Sequence, residues 1–139
     1  MAGRMTDLIG KPASLIPTPA LVVETGALER NLRLMSGFFA GRHAKLHPHF
    51  KSHKCVTIAR RQLECGNAVG ITCAKLSEAE VLTAGRTRDI LIADQVAGPG
   101  KSERVAEPAR ACRLTCGVPP GGRALEIARA AYDRSHGRR

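Results

Sequence analysis

The chain of 139 residues is short of aromatic side chains, with one tyrosine, three phenylalanines and no tryptophan. Phe38, Phe39, Phe50 and Tyr132 are too few to form the platform on which unpaired bases stack, so no nucleic-acid partner is expected. Acids are also scarce: 12 Asp and Glu stand against 22 Lys and Arg, a formal net charge of +10. That excess suits an anionic ligand without choosing one. No apolar run approaches the roughly 18 residues of a membrane span, and 1–17 lacks the apolar centre of a secretion signal. A soluble cytoplasmic protein with no membrane partner is the expectation. Five cysteines, an odd number at irregular spacing, argue against a disulfide framework. Cys112 and Cys116 form a CxxxC with no second ligand pair at zinc-site spacing, so they read as half-buried thiols and no metal site is assigned.

What is present suffices for one globular domain, since 43% of the residues are hydrophobic. Residues 1–17 show no periodicity and read as a mobile lead-in. Ala20-Leu21-Val22-Val23 then forms a short apolar strand behind Pro17 and Pro19. Thr25 is a fair N-cap for a helix with its apolar stripe at Leu28, Leu32, Met35 and Phe39. Three strand–helix cycles follow. Lys45–Phe50 leads to a helix near His53–Cys65, and Ala68–Ala74 to a helix opened by a Ser77–Glu80 capping box and closed at Gly85. Asp89–Val96 leads through Gly98-Pro99-Gly100 to a helix near Ser102–Ala111. Such alternation implies βαβ units and a parallel sheet, an α/β fold. The rhythm breaks after Arg113, where Cys116–Gly122 reads as a loop, followed by a helical pattern at Arg123–Tyr132 and a basic tail at Arg134–Arg139. The divisions read from this pattern are 1–17, 18–113 and 114–139.

The densest chemistry lies in His43–Cys55, HAKLHPHFKSHKC. In a strand over Lys45–Lys51, His47, His49 and Lys51 share one face, with Lys51 at the carboxyl end, where parallel α/β folds bind ligands. Lys54, Arg60, Arg61 and the histidines crowd that lysine with positive charge, which disfavours its charged form and leaves an amine able to form a Schiff base with an aldehyde. A solvated basic loop explains the same residues, as does a metal site built from His47, His49 and His53 or His43, although that spacing matches no familiar zinc motif.

The run His47-Pro-His-Phe-Lys51-Ser-His-Lys-Cys55 resembles the PHxK(S/T)HKC segment of the D-threonine aldolase and D-serine dehydratase group, pyridoxal-phosphate enzymes related to the alanine racemase N-terminal domain. The resemblance continues in order through Ile16–Val23, Ala27–Asn31, Ile58–Gln62, Glu78–Val81, Asp89–Val96 and Gly98-Pro99, covering roughly 16–111. It implies a (β/α)₈ TIM barrel, with Lys51 as the catalytic residue that forms the Schiff base with pyridoxal 5'-phosphate. It also implies that His49, His53 and Gln95 line the cofactor, and that the substrate is a small D-amino acid, cleaved by an aldolase or dehydrated. His47 stands where an arginine is common, and Asp94 where an asparagine is common.

A complete barrel takes about 250 residues, and only three of its eight strands are recognisable here. Cys116–Gly121 with Ala124–Arg129 resembles a segment that the family carries later. The chain therefore reads as a truncated member, an incomplete barrel with little activity alone. The resemblance places the family's phosphate-binding loops late in the barrel, and the divalent-metal ligands of full-length aldolases in a C-terminal domain; no segment here matches either. The alternatives are a non-catalytic remnant that binds the cofactor, or a racemase-like protein. Open strand edges imply marginal stability and a possible homo-oligomer, favoured as salt screens the charge.

Overall fold

The structure, a computed structural model, describes residues 5–98, 100–118 and 123–135. The expectations for 1–4, Pro99, 119–122 and 136–139 lie outside the described residues. Two short 3-10 turns, Met5–Leu8 and Ala13–Leu15, precede helix α1, Thr25–Phe39. Helix α2 is Val56–Glu64; strand β1 is Ile71–Cys73 and helix α3 Leu76–Ala84; strand β2 is Asp89–Gln95 and helix α4 Lys101–Ala111; strand β3 is Arg113–Gly117 and helix α5 Arg123–Ser135. The strands form a parallel sheet in the order β1-β2-β3. The expected α/β architecture, an incomplete run of (β/α) units, is what forms.

Alternation along the strands sorts the sheet into two faces. Ile71 and Cys73 of β1 pair with Ile90 and Ile92 of β2, which pair in turn with Leu114 and Cys116 of β3. This face packs on Leu76, Ala79 and Leu82 of α3, Val105 of α4, and Val56, Ala59 and Leu63 of α2. Helices α3 and α4 are further tied by Arg104, which binds Glu80 bidentately through Nε and Nη2 at 2.9–3.0 Å. Gly85 allows the close approach of α2, since a Cβ there would lie 2.5 Å from Val56 Cγ1.

Several local expectations are corrected. Ala20–Val23 forms no strand: it has no neighbouring strand among the described residues, and Leu21 and Val22 are 101% and 70% exposed. The N-cap of α1 is Glu24, whose carboxylate accepts from the amides of Gly26 and Ala27, leaving Thr25 as the first helical residue. The Ser77–Glu80 capping box does not form, because α3 begins two residues earlier than a Ser77 N-cap requires, at Leu76 with Lys75 as its N-cap. Glu78 reaches back instead, accepting from the Ala74 amide at 2.8 Å. No break follows Arg113. That residue opens β3, which pairs with β2 from Asp89↔Arg113 to Gln95↔Gly117, so the division drawn at 113/114 falls inside a strand.

Lys45–Phe50 is not a regular strand. It meets β1 and the residues just before it at two isolated parallel bridges, Leu46↔Ala68 and His49↔Thr72. The register slips by one residue between them, and Pro48, between the bridges, has no N–H to donate to a ladder. Its carbonyl is still used, accepting from the Thr72 amide at 2.8 Å, while Thr72 Oγ1 donates to the His47 carbonyl at 3.1 Å.

Candidate functional site at the strand ends

The chain leaves the His49 bridge and at once tightens into a 3-10 turn, Phe50–Ser52. Strand alternation therefore stops before Lys51, and the shared face expected for His47, His49 and Lys51 does not continue that far. Phe50, 2% exposed, plugs into the core and anchors the turn. The turn is closed by its backbone: the amides of His53 and Lys54 donate to the Phe50 carbonyl at 3.2 and 2.8 Å. Two histidines then cap it. His49 Nδ1 accepts from the Lys51 amide at 3.2 Å, and His53 Nδ1 accepts from the Cys55 amide at 3.1 Å. Both Nδ1 atoms are thus acceptors, so a neutral ring carries its proton on Nε2.

Lys51 stands exposed on this turn, and no ion pair or side-chain hydrogen bond engages its amine among the described residues. His53 is half-buried, edge-on to Phe50 with ring centroids 5.4 Å apart. Burial holds the His53 pKa below its ordinary value, favouring the neutral imidazole. Two members of the positive crowd expected around Lys51 are paired with acids: Arg61 with Glu29 of α1, and Lys54 with Glu78 of α3 at 3.5 Å.

Gln95 is also exposed at a carboxyl strand end, that of β2, but across β1 from the lysine turn. Two inter-strand spacings amount to about 10 Å. It borders a separate hollow of about 330 Å³ with Ala74, Lys75, Ser77, Asp94, Lys101 and Arg104 among its neighbours. β2 is irregular here, since Ala93 and Asp94 are extra residues between the Ile92↔Cys116 and Gln95↔Gly117 pairs. Of the four expected cofactor contacts, the structure gathers His49, Lys51 and His53 on one turn and sets Gln95 in the neighbouring hollow. Glu78, which sequence reading assigned to no role, is the buried carboxylate nearest the lysine turn, and nothing in its spacing from Lys54 would have singled it out. Among the described residues no three His, Cys, Asp or Glu side chains gather as a metal site, and the five cysteines are free thiols. Burial pushes the Cys73 thiol up to about 12, which removes it as a nucleophile. Among the described residues no helix is long and apolar enough to cross a membrane.

No family model matches the chain. Curated proteins do. A D-threonine aldolase from Arthrobacter sp is 40% identical over 106 residues, which are 76% of this chain and 28% of that protein. A 3-hydroxy-D-aspartate aldolase from Paracoccus denitrificans (strain Pd 1222) is 41% identical over 100 residues, 71% of this chain and 26% of that protein. Among solved structures, D-threonine aldolase from Filomicrobium marinum superposes with a TM-score of 0.80 at 37% identity, covering 86% of this chain and 32% of the other. D-threo-3-hydroxyaspartate dehydratase from Delftia sp. HT23 gives 0.72 at 33% identity, covering 88% and 32%. The chain spans about a third or less of the length of these relatives. Sequence and backbone agree over the same strand–helix units, and the chain is homologous to the corresponding third of the D-threonine aldolases and their 3-hydroxy-D-aspartate aldolase and dehydratase relatives.

Proposed function

We propose that Lys51 is the lysine that carries pyridoxal 5'-phosphate, and that this chain is part of a lyase acting on small D-3-hydroxy amino acids by retro-aldol cleavage or dehydration. The observation that carries the reading is the Lys51 amine itself: exposed, without a partner among the described residues, on a turn locked by Phe50 and His49 just after the His49 bridge to β1. Support for the reaction class comes from the names of the relatives, two aldolases and a dehydratase of D-configured hydroxy amino acids.

The residues present fit the aldehyde end of the cofactor. Lys51 would bond to it, and His49 would stand beside it with its Nε2–H directed away from the backbone contact. When bound, pyridoxal phosphate supplies an electrophilic carbon and an electron sink that weakens the bonds to an amino acid's Cα. His53 holds the turn's exit, its Nδ1 on the Cys55 amide, so its part is to keep the lysine's platform rigid. Gln95 and the lysines of its hollow would meet the polar groups of cofactor or substrate from the β2 side. A divalent metal in full-length aldolases is a feature of the family, and the described residues supply no ligand set for one. The setting is cytoplasmic, in keeping with five free thiols.

Incubation with pyridoxal phosphate, borohydride reduction and peptide mass mapping should place the adduct on Lys51 and lose it in Lys51→Ala. Labelling spread evenly over Lys45, Lys51, Lys54 and Lys101 is ordinary surface reactivity and would sink the assignment. Turnover by the chain alone should be absent or very weak, because oriented binding and electrostatic stabilisation need groups fixed around the whole site. Cleavage of D-threonine or dehydration of D-serine well above a Lys51→Ala control would contradict this.

A further inference from the structure

Two lysines stand on one turn, and the structure treats them differently. The Lys51 amine is exposed and meets no side-chain partner among the described residues. The Lys54 amine lies 3.5 Å from Glu78 Oε1, on the helix that follows β1. Glu78 is 8% exposed, and its other oxygen, Oε2, accepts from the Ala74 amide at 2.8 Å. Burial by itself would raise the Glu78 pKa, but the amides of Ala74 and Lys75 and the charge of Lys54 outweigh it and hold the carboxyl below its ordinary value. A fixed, ionised and nearly buried carboxylate therefore receives the second lysine of the motif. The backbone at Lys54 has φ 49, a left-handed conformation that a residue with a Cβ keeps only when its surroundings over-determine it. Here the Lys54 amide is held by the Phe50 carbonyl and its side chain by Glu78.

We propose that Glu78 selects between the two lysines of the motif, holding the Lys54 amine on its carboxylate so that Lys51 alone is free to meet an aldehyde. The inference rests on the reading of Lys51 given above. In that chemistry the amine lone pair attacks the aldehyde carbon and a carbon–nitrogen double bond forms. The aldehyde oxygen leaves as water with the two amine hydrogens. For Lys54 to react it must leave Glu78, stranding a nearly buried carboxylate on backbone donors alone. Lys51 breaks no such contact. Glu78 is a positioning residue in this scheme, acting through Lys54.

The test compares Lys51→Ala with the double variant Lys51→Ala/Glu78→Gln, each treated with pyridoxal phosphate and borohydride and mapped by peptide mass. In the single variant Lys54 should label less than Lys45, Lys75 and Lys101. In the double variant its extent of labelling should rise about threefold or more, the scale of losing one partly exposed ion pair, while the other three lysines label to the same extent as before. An unchanged extent of Lys54 labelling would overturn the proposal. Because Lys51 is absent from both proteins, this outcome does not depend on whether Lys51 is the cofactor lysine. That question is decided by the adduct map of the unmodified chain. If Glu78→Gln loses its helical circular dichroism, competitive reductive methylation of the unmodified chain with formaldehyde decides instead. Lys54 methylating more slowly than Lys45 and Lys101 supports the proposal, and an equal or faster rate overturns it.

Discussion

On the helix side of the sheet, Ile71, Cys73, Ile90 and Ile92 are at most 1% exposed, whereas on the opposite side Asp89, Leu91, Arg113 and Thr115 line an open groove of about 490 Å³ with His47 and Val69. The same strands supply both rows, one residue apart. Parallel sheets are usually covered on both faces, and in a closed (β/α) barrel the inner face is filled by layers of packed side chains. Here one face supplies nearly all the apolar burial. The other is held by polar contacts, Thr72 on His47 and Arg113 on Asp89 at 3.6 Å. The lysine turn grows from the rim between them, with Phe50 in the covered core and Lys51 in solvent. The contrast locates the apolar burial of this chain on one side of its sheet and its exposed lysine turn on the rim.

The largest effect should come from the covered face. Ile92→Ala removes a fully buried branched side chain and should cost about 2–5 kcal/mol. Leu91→Ala, its neighbour on the half-buried open face, should cost about 1 kcal/mol or less. Chemical denaturation of the two variants measures the contrast directly, and equal losses would mean that the open face is packed after all.

Gly70→Ala should come next, because it strikes the join between the irregular 46–49 segment and the sheet. A Cβ at Gly70 would overlap the His47 ring and lie 2.8 Å from the Asp89 carbonyl. Forced overpacking of this kind costs about 1–3 kcal/mol. If the segment can retreat, denaturation midpoints will move little, but the Lys51 turn will shift, visible as a change in the adduct map.

Acid sharpens the comparison in two windows. The His53 pKa is lowered by burial, so its contribution is complete above the ordinary value of 6.5 and is lost as pH falls through the folded value. The Glu78 pKa is also lowered, although burial alone would raise it, and its contribution is complete above 4.5 and is lost below the folded value. Thermal midpoints should therefore fall in two steps as pH drops. Glu78→Gln should remove the lower step and leave the upper one; a lower step that persists unchanged in that variant would show that Glu78 does not carry it.

The smallest effect concerns association through the open face. The net charge of +10 keeps copies apart, and physiological salt screens it beyond about 8 Å. Sedimentation should show larger species as salt rises, and Val69→Lys, adding charge to a half-exposed groove residue, should delay their appearance. A monomer at all salt concentrations would show that this face tolerates water as it stands.

Local periodicity carried most of the fold. The stripe Leu28, Leu32, Met35 and Phe39 marks α1, and the apolar run DILIADQV marks β2, because a helix or a central strand announces itself within its own residues. β3 was illegible for the opposite reason. RLTCG alternates weakly and runs into Pro119-Pro120, and it becomes a strand only because β2 presents an edge to pair with. Ala20–Val23 is the converse case, four residues with strand character and no edge to receive them among the described residues.

The sequence by itself determined the lysine and its histidines, because His49, Lys51 and His53 lie within five residues and their contacts run through the local backbone. Only the tertiary structure decided that Lys51 leaves the strand on a 3-10 turn, that Gln95 opens onto another hollow, and that Lys54 is met by Glu78. The physical reason is range. Capping and hydrophobic period act over three or four residues along the chain, whereas an ion pair or a strand edge acts between residues that only folding brings within reach.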